Sequence, residues 1–469
     1  MKMIKTLLLS LLISIGAQSQ EVNLKSMEIG PKIDVLVDQY MELDIFSGVV
    51  LVAQRGEHIY HKAFGLANRA SGKANTLNTH FDIGSMNKTF TKVIILDLVD
   101  QGKLKLEDNL GEFLDGFPYE VANKVTIGHL LSHQSGLAGY HSPEYWDLPF
   151  EEKNLQTVLQ FIRQQPLWFE PGTDRQYSNS GYVLLGLIAE KVTGQSYFDL
   201  VQTRIVGKLG MSETYLREKY ATPNRAIGYY KDMKGTLISN DSLREIVTPA
   251  GGFYSTASDM MKFYRAFHYG NQLWSSSAKS LDDMYPFYQE HMNTGGAMTH
   301  AGGFEGANTV HYEILRDEIS VVVFANMDEV VAEDLGAGIL AIIRDKKPEK
   351  PQLPAGQSVY AGYEEKGIGF VKQNWDDLTG NFHPDDPKDM ILNHVGYMLM
   401  REGNISAAKE MFQLNTELFP KVANCWDSYG ESLWKSGEIE AAKKAYLKAL
   451  KIRPDLESAK AALDELKKI

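Results

Sequence analysis

The sequence contains a single cysteine, Cys425, and therefore cannot form an intramolecular disulfide. Its twelve histidines are scattered, and it has neither a His-Glu-x-x-His pattern nor a pair of closely spaced cysteines. We therefore expect no metal site and no cofactor. Stability must come from core packing, and 469 residues at 43% hydrophobic content can bury a large core in two or more domains. We expect Cys425 to be a buried packing residue.

Clusters of basic residues are also missing. The formal net charge is -12 at pH 7, whereas nucleic-acid binding and adhesion to anionic membranes need patches of lysine and arginine. We therefore expect no nucleic-acid partner and no electrostatic attachment to a membrane.

The apolar run at the amino terminus is too short to span a bilayer comfortably. Lys2 and Lys5 precede the apolar residues 7–15, and small residues follow at Ala17 and Ser19. This order is typical of a secretory signal peptide cleaved after Ser19. The sequence thus predicts a signal peptide over residues 1–19, no membrane anchor, and export to a periplasm or beyond.

A possible nucleophile lies at Ser85, three residues before Lys88. Residues at i and i+3 share one face of a helix, so the two side chains can touch if a helix begins near Ser85, with Gly84 as a tight lead-in. A serine hydroxyl becomes nucleophilic only when a neighbouring base takes its proton. The pattern alone is not specific, because Ser-x-x-Lys occurs three more times in this chain.

Two later elements supply polar groups in a fixed order. Tyr177 and Asn179 lie in a turn-rich loop that leads into an apolar helix, and His300 precedes Gly302 and Gly303. Loops of this kind often carry functional groups, and paired glycines allow a substrate to approach a strand backbone closely. Lysine and tyrosine both need a lowered pKa to act as a base near neutral pH. A cationic Lys88 would favour the Tyr177 phenolate, whereas a dry site would favour neutral Lys88, and both alternatives stay open.

With these motifs in this order, residues 29–344 resemble the serine β-lactamase and penicillin-binding-protein superfamily. The closest branch comprises the class C β-lactamases, the low-molecular-weight DD-peptidases and related esterases. The resemblance implies a β-lactamase-like α/β (α+β) domain, in which an antiparallel sheet carries an inserted helical subdomain and the site lies between them.

The resemblance also implies roles for the candidate residues. Ser85 would be acylated, Lys88 and Tyr177 would share the role of base, and Asn179 would bind the substrate amide. His300 would be a cation that supports the tyrosine or a substrate carboxylate. The oxyanion hole would use the backbone amides of Ser85 and Gly303.

Two departures from the family pattern limit the substrate. The chain has no Lys-Thr-Gly, and histidine in place of this lysine is a weaker fixed charge, which weakens the case for β-lactams that carry a carboxylate. The Ser-Asp-Asn element of class A enzymes is also missing, which argues against a class A β-lactamase.

The carboxyl-terminal part has a different organisation. Residues 346–354 are charged and proline-rich, which predicts a linker and connecting segment over 346–388 that follows a hydrolase domain over 20–345. Residues 389–469 then repeat with a period of 34, which resembles two tetratricopeptide repeats and a capping helix. The corresponding positions are Gly396 and Gly430, Ala408 and Ala442, Phe412 and Tyr446, and Pro420 and Pro454.

The preferred functional hypothesis is an exported serine hydrolase that cleaves a small amide, ester or peptide bond through an acyl-enzyme on Ser85. The alternative is a protein-binding scaffold whose hydrolase-like domain is vestigial or deacylates slowly. The substrate would be a small molecule or short peptide, and the repeats would dock onto the catalytic domain, bind a protein partner or self-associate. Whether the bond belongs to a D-alanyl peptide, a β-lactam, a D-amino-acid amide or an ester is open.

Overall fold

A five-stranded antiparallel sheet forms the centre of the amino-terminal part of the protein. The computed structural model describes residues 22–216, 219–327, 330–380 and 387–468. The strands are β1 (Gly48–Gln54), β2 (Glu57–Phe64), β3 (Leu66–Asn68), β4 (Lys73–Ala74), β5 (Phe81–Asp82), β6 (Tyr229–Lys231), β7 (Leu237–Ser239), β8 (Tyr254–Ser255), β9 (Ala297–Phe304), β10 (Ala307–Ile314) and β11 (Ile319–Ala325). The main sheet has the order β2-β1-β11-β10-β9, and β3-β4, β5-β8 and β6-β7 form small two-stranded ladders. The hairpin expected at the start of the domain is β1-β2.

Helices surround this sheet and make up the carboxyl-terminal part. They are α1 (Ile29–Glu42), α2 (Asn87–Asp100), α3 (Tyr119–Lys124), α4 (Ile127–Leu131), α5 (Pro143–Trp146), α6 (Leu155–Gln164), α7 (Asn179–Thr193), α8 (Tyr197–Val201), α9 (Gly207–Leu209), α10 (Ala257–His268), α11 (Ser276–Ser280), α12 (Tyr285–Thr294), α13 (Val331–Ile343), α14 (Ala355–Lys366), α15 (Ile368–Gln373), α16 (Trp375–Leu378), α17 (Asp389–Arg401), α18 (Ile405–Leu418), α19 (Ala423–Lys435), α20 (Ile439–Ile452) and α21 (Glu457–Leu466).

The two faces of the sheet bury two separate cores. Every residue of β1 and β11 is buried, and successive side chains of a strand point to opposite faces. Val49 and Leu51 join a core shared with the inserted helices, whereas Val50 and Val52 join a core closed by α1 and α13. A strand buried on both faces is therefore almost continuously apolar.

The inserted helices lie between β5 and β9 in the chain, as the predicted discontinuous α/β (α+β) domain requires. The β5-β8 ladder pairs Phe81 with Ser255 and Asp82 with Tyr254. This pairing brings the segment just before Ser85 next to the segment around residue 250. The predicted fold class, an antiparallel sheet with a helical subdomain, is confirmed.

The carboxyl-terminal helices form two antiparallel pairs, α17-α18 and α19-α20, followed by α21. A Cβ atom placed on Gly396 would lie 2.6 Å from the ring of Phe412, and one on Gly430 would lie 2.9 Å from the ring of Tyr446. The 34-residue spacing thus repeats one contact between a glycine and an aromatic ring in each pair. Cys425 is buried in α19, as expected.

Within the predicted linker and connecting segment, residues 346–388, the structure forms three helices, α14, α15 and α16, over residues 355–378. Val359, Val371 and Trp375 are buried in one core with α17 and α18. Apolar contacts hold these helices against the first repeat pair, α17-α18. The proline-rich residues just before them favoured the prediction of a linker over that of helices.

The turn between β6 and β7 connects the two parts of the molecule. Met233, in this turn, packs against the helical core that contains α14, and its sulfur lies 3.7 Å from the position of a Cβ on Gly356. Lys234 forms an ion pair with Glu402 at 2.6 Å. The carboxyl-terminal helices therefore contact the sheet-containing part directly.

The substitution Gly396→Ala is expected to lower the free energy of unfolding by about 1–3 kcal/mol, because the new methyl group overlaps the fully buried Phe412 ring. Gly369→Ala, on α15, is the matched control. Nothing lies within 4 Å of its added Cβ, so the helix propensity of alanine should leave stability equal or slightly raised. Urea unfolding of both variants tests this expectation, and equal effects would contradict it.

Candidate active site

Ser85 lies in a single 3-10 turn, Gly84–Met86, that leads directly into α2. Gly84 has a φ of +48°, and a Cβ on it would lie 2.6 Å from the Gly303 nitrogen. Its own amide donates to Asp82 Oδ1 at 2.8 Å. Only glycine fits this conformation and this contact without strain. The helix predicted to begin near Ser85 is therefore present.

The Lys88 ammonium lies one helical turn beyond Ser85 and is almost completely buried. Its Nζ donates to Ser85 Oγ at 2.9 Å and to the Ala250 carbonyl at 2.7 Å. In the part of the chain that the structure describes, no carboxylate forms an ion pair with it. Burial therefore lowers the pKa of Lys88 from 10.5 to about 7. A substantial fraction of Lys88 is neutral at pH 7 and can accept a proton from Ser85.

Tyr177 donates a second hydrogen bond to Ser85 Oγ, at 2.6 Å. Desolvation raises the pKa of Tyr177 to about 12, so its hydroxyl stays protonated at neutral pH. Of the two alternatives left open by the sequence, these pKa directions favour neutral Lys88 as the base. Tyr177 is then a proton donor beside Ser85.

His133 holds the Tyr177 loop in place. Its carbonyl accepts from the Gln176 amide at 2.9 Å, and its Nδ1 accepts from the Ser178 amide at 3.2 Å. The imidazole stacks on the Tyr177 ring with centroids 4.7 Å apart. Burial and the nearby Lys88 lower the pKa of His133 to about 3, which keeps the ring neutral and Nδ1 able to accept.

Asn179 is the first residue of α7, directly after the Ser178 side chain that caps this helix. It is partly buried and lines a cavity of about 660 Å³ that also contains Ser85 and Gly303. Among the described residues no hydrogen bond to its side chain is found. Its amide is thus free to contact a ligand in the cavity.

The paired glycines of β9 lie against the turn that carries the serine. A Cβ on Gly302 would lie 2.1 Å from the Ile83 carbonyl oxygen and 2.8 Å from the Ser85 nitrogen. Gly302 is therefore required by backbone packing. Gly303 lines the cavity beside Ser85, which is compatible with the oxyanion hole expected from their two amides.

The surroundings of His300 do not favour its expected role as a cation. Its Nε2 lies 3.0 Å from His268 Nε2, and its ring stacks on Tyr264 with centroids 4.1 Å apart. Burial, followed by the neighbouring His268 and His311, holds the pKa of His300 well below its usual range. Within the described ranges it makes no hydrogen bond to Ser85, Lys88 or Tyr177. His300 lies on the edge strand β9, as expected, but its ring packs against α10, and the lowered pKa favours its neutral form.

Several groups of this site carry no sequence signal. The acceptor at Ala250 is a backbone carbonyl, which bonds to Lys88, and any residue type at this position would supply it. The far wall of the cavity includes Trp146 of α5 and the loop residues Lys153 and Glu245, and none of them belongs to a recognisable motif. The described part of the chain contains no cluster of three or more metal-ligating side chains. It also contains no helix long and apolar enough to cross a bilayer.

Comparison with known proteins agrees with this geometry. The Beta-lactamase family matches residues 33–342, and a Tetratricopeptide repeat matches residues 423–456, which contain α19 and α20. Penicillin-binding protein 4* of Bacillus subtilis is 31% identical over 314 residues, covering 61% of this chain and 69% of the relative. A teichoic acid D-alanine hydrolase of Staphylococcus aureus is 27% identical over 227 residues, covering 48% of this chain and 55% of the relative.

Solved structures show the same fold. A penicillin-binding protein from Bacillus halodurans has 29% identity and a TM-score of 0.55, covering 66% of this chain and 98% of that structure. An octameric penicillin-binding protein homologue from Pyrococcus abyssi has 25% identity and a TM-score of 0.59, covering 72% of this chain and 82% of that structure. Because the family match spans more than half of the chain, this protein belongs to the serine β-lactamase and penicillin-binding-protein superfamily, with a tetratricopeptide repeat in its carboxyl-terminal part.

Proposed function

We propose that the protein is an exported serine hydrolase that cleaves small amide, ester or peptide carbonyl compounds through an acyl-enzyme on Ser85. The observation that carries this proposal is the convergence of two groups on one hydroxyl oxygen. A lysine with a pKa near 7 and a protonated tyrosine both hydrogen-bond to Ser85 Oγ. A base and an acid at one oxygen are what acyl transfer requires.

In the first half of the reaction, neutral Lys88 takes the Ser85 proton while Oγ attacks the substrate carbonyl carbon. The negative charge on the carbonyl oxygen is stabilised by the amides of Ser85 and Gly303. Tyr177 then gives its proton to the leaving group, and the Lys88 ammonium returns a proton to the Tyr177 phenolate. The products of this half are the acyl-enzyme and the protonated leaving group.

In the second half, a water molecule attacks the acyl carbon and Lys88 takes its proton. Collapse of the second intermediate breaks the ester bond to Ser85, and the proton returns to Oγ from Lys88. The acid product is released and the free hydroxyl is restored. Asn179 holds the acyl part of the substrate from the wall of the cavity.

The substrate proposal favours esters and amides over β-lactams. A neutral His300 supplies no fixed positive charge for a substrate carboxylate. The similarity to a teichoic acid D-alanine hydrolase supports ester or amide carbonyls as the reacting group. Penicillin is therefore expected to be a poor substrate.

The test is the intact mass of the purified protein after exposure to a fluorophosphonate and, separately, to a penicillin. Labelling by the fluorophosphonate supports a serine hydrolase, and a stable penicilloyl adduct in addition supports a slowly deacylating enzyme. No labelling by either reagent would favour the alternative of a scaffold with a vestigial hydrolase domain. The binding of a protein partner by the repeats stays a prediction.

Export rests on the amino-terminal pattern, because the predicted signal peptide, residues 1–19, lies outside the described residues. Amino-terminal sequencing of the protein from its native cell would give a mature chain that begins at residue 20. An intact residue 1 in the mature protein would contradict export by this signal.

A further inference from the structure

Three large apolar side chains line the cavity beside Ser85 without belonging to a hydrophobic core. They are Trp146, the last residue of α5, Leu243, in the loop after β7, and Phe304, the last residue of β9. Trp146 is 47% exposed, and the other two are half-buried. The cores formed by the described residues include none of the three. Apolar surface in water is unfavourable, and its convergence in one cavity points to a ligand that covers it.

Polar contacts hold the segments that carry these side chains against one another. The hydroxyl of Tyr145 in α5 donates to the carboxylate of Glu245, in the loop after β7. Lys153 and Glu245 form a largely buried ion pair at 3.6 Å. Asn240 Nδ2, in the same loop, donates to the carbonyl of Glu305 at 2.7 Å, in the turn after β9. The three apolar side chains are therefore held in a wall of fixed shape.

The charges of the cavity do not match a charged acyl group. Among the described residues, its wall offers no unpaired cation, because its lysine is in the ion pair just described and Arg244 lies 3.4 Å from Glu151. Burial lowers the pKa of His141 to about 4, so this ring is neutral near pH 7. The Glu305 side chain is exposed, and an ion pair in water contributes little. The acyl group that matches this wall is therefore uncharged.

We propose that Trp146, Leu243 and Phe304 form a specificity subsite for a bulky, uncharged hydrocarbon group in the acyl part of the substrate. This proposal rests on the proposed function, because it assigns the acyl group of that reaction to the cavity. Asn179 lines the same cavity, whereas the half-exposed Tyr177, the proton donor for the leaving group, does not. The leaving group therefore departs on the solvent side. The cavity has a volume of about 660 Å³, and an acetyl group would leave most of its apolar wall in water.

The experiment uses four p-nitrophenyl esters, the acetyl, hexanoyl, 5-carboxypentanoyl and 5-(trimethylammonio)pentanoyl esters. The last three have similar length and differ in charge, whereas the first lacks the chain. Each kcat/KM is divided by the hydroxide-catalysed rate of the same ester, which corrects for intrinsic reactivity. The wild type is expected to prefer the hexanoyl over the acetyl ester by about 30-fold, because a buried methylene group contributes about four-fold and the wall is partly open. Both charged esters should fall at least about ten-fold below the hexanoyl ester, since their charge must be desolvated.

Trp146→Ala removes the largest of the three side chains and is expected to lower the corrected preference for the hexanoyl over the acetyl ester by about ten-fold. Its rate on the acetyl ester should stay within about three-fold of the wild type, because no catalytic group is touched. Leu243→Ala is the second variant and should lower the preference by about four-fold. Trp168→Ala is the matched control, because Trp168 is 49% exposed and does not line the cavity. It should keep the wild-type preference.

Equal corrected rates on the acetyl and hexanoyl esters would overturn the proposal, as would a preference for either charged ester. A hexanoyl preference that survives in both Trp146→Ala and Leu243→Ala would place the chain elsewhere and would also overturn it. An equal loss of preference in Trp168→Ala would have the same meaning. These results leave the acyl-enzyme on Ser85 untouched, so they defeat the subsite alone. Failure to hydrolyse any ester, together with no fluorophosphonate labelling, defeats the proposed function as well.

Discussion

Ser85→Ala is expected to lower kcat/KM for ester hydrolysis by at least about 10⁴-fold and to abolish labelling by the fluorophosphonate. The Ser85 oxygen accepts hydrogen bonds from both Lys88 and Tyr177, and loss of a nucleophile removes the whole covalent route. The measurement is the initial rate of p-nitrophenyl ester hydrolysis, followed until the uncatalysed background is reached.

The fold should survive this substitution. Ser85 is partly exposed, and among the described residues its hydroxyl bonds only to the Lys88 and Tyr177 side chains. Thermal unfolding of Ser85→Ala should therefore match the wild type within a few degrees. Gly84→Ala is the contrasting variant, because its methyl group would overlap the Gly303 backbone. A Ser85→Ala protein that folds normally and keeps more than about 1% of the activity would rule out Ser85 as the nucleophile.

The second large effect concerns the pH at which the enzyme works. Because the pKa of Lys88 is lowered to about 7, the neutral base predominates above this pH. For an uncharged ester, kcat/KM should therefore fall ten-fold for each pH unit below about 7 and level off above it. Lys88→Arg keeps the positive charge but cannot lose its proton. This variant should lose roughly 10³-fold in kcat/KM, and the slope between pH 5 and 7 should vanish.

His300→Gln is the control for this pH profile. A histidine with an ordinary pKa would titrate in the same range as Lys88, but the pKa of His300 is held well below it. The slope should therefore persist in His300→Gln and disappear in Lys88→Arg. The reverse result would assign the titration to His300 and restore its expected role as the cation.

The contact between Ser85 and Lys88 could be predicted from sequence because it is local. One helical turn fixes the two residues on one face, and the only further requirement is that a helix begins there. The strands β1 and β11 could be predicted equally well, because short, continuous apolar runs are typical of strands that are buried on both faces. Tyr177 reaches Ser85 through a long loop, and its place could be predicted only from the family resemblance and not from spacing.

The errors have a common physical cause, since they depend on packing between distant segments. Histidine at position 300 suggested a charge, but Tyr264 and His268 of α10 pack around its ring, and its pKa is held well below the usual range. The helices α14–α16 were not predicted, because their widely spaced apolar residues form a core only together with α17 and α18. The pairing of Lys153 with Glu245 joins two loops and could not be deduced from either of them.

Met233 in the β6-β7 turn has a consequence for biosynthesis. The ribosome delivers this turn long before α14 and the rest of its helical core, which later pack against the Met233 side chain. Domains of a growing chain tend to fold from the amino terminus, so the hydrolase part emerges with an apolar side chain in water. The residues that later pack against Met233 belong to the same chain. A protein truncated before α14 would still contain Ser85, Lys88 and Tyr177. Its Met233 side chain would stay exposed to water, and we expect such a protein to associate through the β6-β7 turn. We therefore expect the carboxyl-terminal helices to pack last, after the segments that carry Ser85, Lys88 and Tyr177 have been synthesised.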